Sequence, residues 1–244
     1  MSKVQLYNDD CLSIIDILND NSIDLLLTDP PYGIDYQSCR CSKEVRKPKI
    51  QNDKSPFTSF ISKVMSKISI RGGALIFTRW DVQQVFIDEL NKCGFTPNNV
   101  IIWDKLTHSM GNLKQSFGSR YESIIWVANR EFSFPNKRPQ DIIASNRISG
   151  NKLIHPNEKP VDLLVELIKY TTNENDTVLD CFMGSGSTGI ACAITNRNFI
   201  GIELDENYFN IAKSRIKNYN NYQILNTNQI LNTNQTLNKG IKLF

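Results

Sequence analysis

Residues 177–193 read TVLDCFMGSGSTGIACA, and residues 199–203 follow as FIGIE. A β-run ends at Asp180, a glycine-rich turn follows, and a helix is expected to begin near Gly189. Gly184, Gly186 and Gly189 stand at GxGxxG spacing. Glycines there allow a tight turn and close backbone approach to a ligand at a helix N-terminus. The next apolar run ends at Glu203, nineteen positions after Gly184. In such folds a carboxylate at that place accepts hydrogen bonds from a ribose diol. Spacing alone does not choose the nucleoside, and NAD fits it as well as S-adenosylmethionine.

Outward from this unit, five further apolar runs read as strands, Val4–Tyr7, Asp24–Thr28, Ala74–Thr78, Val100–Trp103 and Ser123–Val127, which with Thr177–Asp180 and Phe199–Glu203 make seven. Several are nearly continuous Ile, Leu, Val and Phe, as strands covered on both faces require. Helical spacing separates them. It appears in Phe57, Phe60, Ile61, Val64, Met65 and Ile68, in Val82, Val85, Phe86 and Leu90, and in Val161, Leu164, Leu167 and Ile168. The expected fold is α/β and doubly wound, a Rossmann-like, seven-stranded, mostly parallel sheet.

Residues 24–33 read DLLLTDPPYG. A buried strand delivers Asp29, Pro30, Pro31 and Tyr32 at its carboxyl end, the edge where open α/β sheets place their sites. Consecutive prolines fix φ and donate no hydrogen bond, so the Pro30 carbonyl can be held outward. These parts suit an aromatic amine, a poor nucleophile because its lone pair is delocalised. Asp29 and the Pro30 carbonyl would each accept one N–H and draw the nitrogen toward tetrahedral geometry. Tyr32 would stack the base, worth about 1–3 kcal/mol.

These motifs resemble the DNA amino-methyltransferases, in the permuted group whose catalytic motif precedes the cofactor motif. The similarity runs from about Val4 to Arg215. In that family the Asp-Pro-Pro-Tyr form goes mainly with N6 of adenine, and cytosine-N4 enzymes more often begin the motif with serine. Asn8–Leu12 resembles the segment whose acid contacts the cofactor adenine, here Asp10, although Asp9 stands where the family usually has glycine. His155–Pro160 resembles the segment before the helix that closes over the cofactor. The resemblance implies S-adenosylmethionine as cofactor, bound by Asp10, Lys159, Asp180, Phe182, Gly184, Gly186, Ser187, Thr188 and Glu203. Asp29, Pro30, Pro31 and Tyr32 would be catalytic. A cationic sulfonium nearby would favour the ionised form of Asp29.

Two segments have no clear period. Residues 34–55 carry six bases against three acids, and residues 130–159 carry the same balance. Together they hold +6 of a chain whose net charge is +3. Phosphate contact is the functional reading, through Arg40, Lys43, Arg46 and Lys47 in the first and Lys137, Arg138 and Arg147 in the second. A solvated loop is the plain alternative. Double-stranded DNA is the implied partner, and a cognate restriction endonuclease is a further candidate.

The expected organisation is a methyltransferase domain over 1–219, with a catalytic half 1–129, a short target-recognition or linker segment 130–159 and a cofactor half 160–219. Residues 220–244 form an Asn-rich repetitive tail in which QILNTN occurs twice. The six cysteines are scattered and read as reduced thiols; Cys39 and Cys41 are too close for half of a usual zinc site, and no metal is expected. No apolar run approaches the roughly 18 residues that a membrane span needs, and no secretory signal is visible, so a cytoplasmic address is expected. A monomer or homodimer fits. The alternatives that remain are the same chemistry on cytosine N4, an RNA or protein amide methyltransferase, and a catalytically silent nucleic-acid-binding protein.

Overall fold

The computed structural model describes residues 2–33, 55–108, 114–148 and 158–219. In chain order the strands are β1 (Val4–Tyr7), β2 (Ile23–Thr28), β3 (Ile68–Thr78), β4 (Asn99–Asp104), β5 (Tyr121–Ala128), β6 (Ile142–Ala144), β7 (Thr177–Asp180) and β8 (Asn198–Ile202). The helices are α1 (Cys11–Ile17), α2 (Phe60–Val64), α3 (Gln83–Lys92), α4 (Val161–Thr171), α5 (Ser187–Ile194) and α6 (206–219). All eight strands form one sheet in the order β1-β8-β7-β2-β3-β5-β4-β6. Among the described strands only β5 runs against the others, antiparallel to both β3 and β4.

The centre of the sheet is the most apolar part of the chain. Leu25, Leu26 and Leu27 of β2 are buried on both faces, as are Val178 and Leu179 of β7. Each such side chain contributes roughly 1.5–3 kcal/mol by burial. β2 and β7 are neighbours, yet the chain leaves them in opposite directions: β2 leads through α2 to β3, and β7 leads through α5 to β8. The strand order therefore reverses between them. That reversal opens a crevice at their carboxyl ends, where Asp29 and Asp180 lie.

Three expectations need correction. The sheet has eight strands rather than seven, because Ile142–Ala144 pairs parallel with Ile102–Asp104 at the edge. Three residues are too few to show a period. Next, β3 starts at Ile68, not Ala74, and Ile68 belongs to the strand rather than the preceding helix. Ile68 pairs with Ile23 and is buried, and a register shift between Ile23 and Leu25 takes up the extra residues. Finally, α5 begins at Ser187, two residues before the expected start. Helix α1 is an addition, capped by Asp10, whose Oδ1 accepts from Leu12 N at 2.8 Å.

Candidate active site

The glycine turn is held from three sides. Gly186 caps α5 at φ 83°, a left-handed conformation that favours glycine. A Cβ on Gly189 would lie 2.4 Å from Ile216 Cδ1, so this glycine lets α6 press onto α5. Arg215 of α6 donates to the Ser185 carbonyl at 2.7 Å and pairs with Glu158 at 2.8 Å. Glu203, just past β8, accepts from Gly184 N at 2.8 Å and from Asp205 N at 2.9 Å. Each Glu203 oxygen keeps a lone pair for a further donor. Burial raises the pKa of this carboxyl.

Asp180 is buried and ties three elements together. Its carboxylate accepts from Thr28 Oγ1 at 3.0 Å, Phe182 N at 3.1 Å and Thr188 Oγ1 at 2.6 Å. Burial pushes its pKa up to about 6. Phe182 packs edge-on against Phe57 and Phe60, with centroids 5.8 and 5.2 Å away.

Across the crevice, Asp29 follows β2 directly. Its two oxygens are both engaged: Tyr32 Oη donates to Oδ1 and Lys159 Nζ donates to Oδ2. The side chains of Lys159 and Asp29 are 9% and 17% exposed. Lys159 Nζ also lies 3.3 Å from Glu122 Oε2 and 4.9 Å over the Phe77 ring. Lys105 Nζ sits 2.6 Å from the other Glu122 oxygen. Burial raises the pKa of Asp29, with the Lys159 ammonium working against it. Burial also acts upward on Glu122, but the ammonium groups of Lys159 and Lys105 outweigh it and hold this carboxyl low. For Lys159, burial disfavours the cation, and Asp29 and Glu122 more than restore it.

One cleft of about 1250 Å³, its open mouth included, runs from the glycine turn to Asp29. Asp29, Pro30, Pro31, Asp10, Lys159, Asp180, Phe182, Gly184, Ser187, Thr188 and Glu203 all line it. Seven carboxyl side chains face it: Asp9, Asp10, Asp29, Glu158, Asp180, Glu203 and Asp205. Among the described residues Lys159 is its one cationic lining residue. Such a cleft repels a pyrophosphate and suits a cationic nucleoside. It therefore separates the two nucleosides that glycine spacing left open.

Other expected residues sit elsewhere. Tyr32 is 5% exposed and does not line the cleft. Its hydroxyl is spent on Asp29, its backbone bridges to Pro56, and its low exposure means that the expected open ring face is not presented in this structure. Lys159 reaches the cleft, but its ammonium points at Asp29 and Glu122 rather than only toward a cofactor. Lys137 and Arg138 are exposed but are not brought to the cleft. Arg138 instead lines a separate groove with Asn98, Asn99 and Tyr170, where β4 begins and α4 ends. Arg147 is exposed and follows β6, whose end pairs with the end of β4 at the Asp29 side of the sheet. Arg40, Lys43, Arg46 and Lys47 lie outside the described residues, as do Cys39, Cys41, His155–Asn157 and the tail 220–244.

Sequence reasoning missed Glu122, Lys105, Phe57, Phe77 and Tyr208. Glu122 carried a signal: it is a charged residue leading an otherwise apolar strand. Among the described residues no group of three or more His, Cys, Asp or Glu could hold a metal ion. No helix among them is long and apolar enough to cross a membrane.

Comparison with known proteins follows the same lines. The model of the N6/N4 methyltransferase family, described as DNA methylase, matches residues 23–214. The methylase YubD of Escherichia coli (strain K12) is 30% identical over 208 residues, covering 85% of this chain and 87% of that protein. The crystal structure of the M1.HpyAVI–SAM complex superposes with a TM-score of 0.65 at 28% identity, over 87% of this chain and 99% of that one. The cytosine-N4-specific PvuII DNA methyltransferase shares the fold, with a TM-score of 0.69 at 18% identity over 91% of this chain and 92% of that one.

Proposed function

Because the chain belongs to the N6/N4 DNA methylase family, we propose that it transfers a methyl group from S-adenosylmethionine to N6 of an adenine extruded from double-stranded DNA. The observation that carries this reading is the meeting of Asp29 and the glycine turn in one acid-lined cleft. The donor set fits the cofactor. Glu203 has lone pairs left for the ribose hydroxyls, Phe182 offers an apolar wall to the nucleoside, and Asp10 stands at the cleft for the adenine end. Gly184, Ser187 and Thr188 bring the start of α5 to the same space, while Gly186 does not line it and instead caps the helix against Ala212. When bound, S-adenosylmethionine supplies an electrophilic methyl group on a cationic sulfur, and the surrounding carboxylates favour that charge.

The protein's part in the transfer is to prepare the amine. Asp29 and the Pro30 carbonyl accept its two N–H bonds, and a hydrogen bond to a charged group contributes roughly 1.5–3 kcal/mol. Pro30 and Pro31 hold the turn rigid. The bound cofactor would supply the methyl group, its bond to sulfur giving way as the nitrogen lone pair takes the methyl carbon, with Glu203, Phe182 and Asp10 holding the nucleoside. The alkylated nitrogen then sheds one proton, for which Asp29 is the adjacent acceptor. For Tyr32 to stack the base, its buried ring must first be uncovered. Extruding the base costs a few kcal/mol, which stacking and the two hydrogen bonds offset.

The Asp-Pro-Pro-Tyr form of residues 29–32 favours adenine, while cytosine N4 presents a similar amine. Duplex DNA incubated with methyl-labelled S-adenosylmethionine and then hydrolysed to nucleosides separates the two. Labelled N6-methyl-2′-deoxyadenosine supports the proposal, and label in N4-methyl-2′-deoxycytidine alone overturns the choice of base. No incorporation into any DNA would favour the silent binding protein.

A further inference from the structure

The ion cluster behind Asp29 poses a problem for the proposed chemistry. An amine can engage Asp29 only through an oxygen lone pair pointing into the cleft. Each oxygen already takes one donor, the Tyr32 hydroxyl on Oδ1 and the Lys159 ammonium on Oδ2, so an entering N–H must compete with an ammonium for Oδ2. Beside that ammonium lies a second acceptor whose hydrogen bond is not made. Glu122 Oε2 is ion-paired with Lys159 Nζ at 3.3 Å but is not angled for a hydrogen bond, and this buried oxygen has no other hydrogen-bond partner among the described residues. A buried acceptor left without a hydrogen bond is costly, and native proteins seldom keep one without reason. Lys105 holds the other oxygen of Glu122 at 2.6 Å, which keeps the carboxylate aimed at Lys159.

We infer that Lys159 is a positioning residue that passes its ammonium from Asp29 to Glu122 when the target amine enters, freeing Asp29 Oδ2 to accept an N–H. This rests on the methyl-transfer reading above. Before the base arrives, Lys159 supplies the positive charge that lets Asp29 stay ionised in a buried place. Once an N–H donor reaches Oδ2, that oxygen no longer needs the full ammonium. The cation then moves a short way to the waiting oxygen on β5. No charge crosses the cleft, since both carboxylates stay within reach of the one cation throughout. Lys159 thus serves Asp29 as well as the cofactor side of the cleft. Residues 29, 122 and 159, on three separate parts of the chain, work as one unit.

The test is a double-mutant cycle with Glu122→Gln and Lys159→Met, read as single-turnover methyl transfer, with S-adenosylmethionine affinity measured alongside. Glu122→Gln removes the charge that draws the ammonium away, so Lys159 clings to Asp29. The rate is expected to fall about tenfold to a hundredfold, with S-adenosylmethionine affinity unchanged. Lys159→Met lowers the rate by its own route. The double variant should then be no slower than Lys159→Met alone, because the defect of Glu122→Gln acts only through the lysine, and the lost Glu122 charge otherwise only relieves Asp29. Additive losses, or a Glu122→Gln variant as fast as the unaltered protein, would overturn the handover. Asp29→Ala, run beside them, keeps the two levels apart. If it still transfers methyl, the methyl-transfer reading itself fails; if it is inactive while Glu122→Gln is unaffected, only the handover fails. A structure of the unaltered protein with S-adenosylhomocysteine and substrate DNA gives a second readout that depends on no variant. Lys159 Nζ directed onto Glu122 Oε2 is the expected result, and Nζ still on Asp29 Oδ2 with the base in place would refute it.

Discussion

Thr28 Oγ1 donates to Asp180 Oδ1 at 3.0 Å, joining residues 152 apart in sequence. The bond crosses the crevice between β2 and β7, one residue before Asp29 and at the first residue of the cofactor turn. It locks the two halves of the cleft in register. Thr28→Val keeps the shape of the side chain and removes the donor. S-adenosylmethionine affinity should fall about two- to tenfold, since the bond acts on the cofactor only through the placing of Asp180. Isothermal titration calorimetry would read this directly.

Asp29→Ala removes the acceptor proposed for the amine while leaving the glycine turn, Glu203 and Phe182 in place. Methyl transfer should be lost, with S-adenosylmethionine still bound. A variant that turns over like the unaltered protein would contradict the role given to Asp29.

The acid limb of the rate profile should respond to Lys159. Burial raises the pKa of Asp29, and the Lys159 ammonium opposes that rise. Asp29 must be ionised to accept an N–H, so activity drops as pH falls through its pKa. Lys159→Met takes away the opposing charge, with Glu122 left facing Asp29. The limb should therefore move to higher pH, and a limb that stays in place or moves down would show that Lys159 does not control this ionisation.

Asp180 should leave a mark on stability. Its pKa in the fold is pushed up to about 6 by burial, so the folded state holds the proton more tightly than the unfolded chain. Stability is then greatest below about pH 4 for this group, and declines as pH rises through about 6. The size of the decline is about 3 kcal/mol as an order of magnitude. Asp180→Asn removes the titration, and the hydroxyls of Thr28 and Thr188 can rotate to suit the amide. The urea midpoint of the variant should change less between pH 4 and 6 than that of the unaltered protein.

DNA contact is expected on the Asp29 side of the sheet. Arg147→Ala should reduce the slope of log affinity against log salt by about one. Lys137→Ala with Arg138→Ala should leave that slope unchanged, because Arg138 lines the groove by Asn98 and Tyr170 instead of the cleft. Fluorescence anisotropy over a salt series tests both. A shallower slope for the Lys137 and Arg138 pair would return them to the interface.

Much of this protein was legible along the chain. The buried strands at Leu25–Leu27 and Val178–Leu179 announce themselves as apolar runs, and the turn at Gly184–Gly189 by its spacing. Both are local features, set by burial on two faces and by backbone conformation. β6 was not legible, because Ile142–Ala144 becomes a strand only by pairing with β4. The start of β3 at Ile68 was hidden in the same way, since its partner Ile23 lies far away in sequence.

The amino-acid order by itself determined the α/β class, the glycine turn with its trailing acid at Glu203, and the placing of Asp29 at a strand's end. Each of these follows from neighbouring residues and their periodicity. Only the tertiary structure decided the charge of the cleft, the covering of Tyr32, the setting apart of Arg138, and the pairing of Asp29 with Lys159 and Glu122. Side chains from distant segments meet according to which strands are adjacent and in what register, and electrostatic energy depends on those distances rather than on separation along the chain.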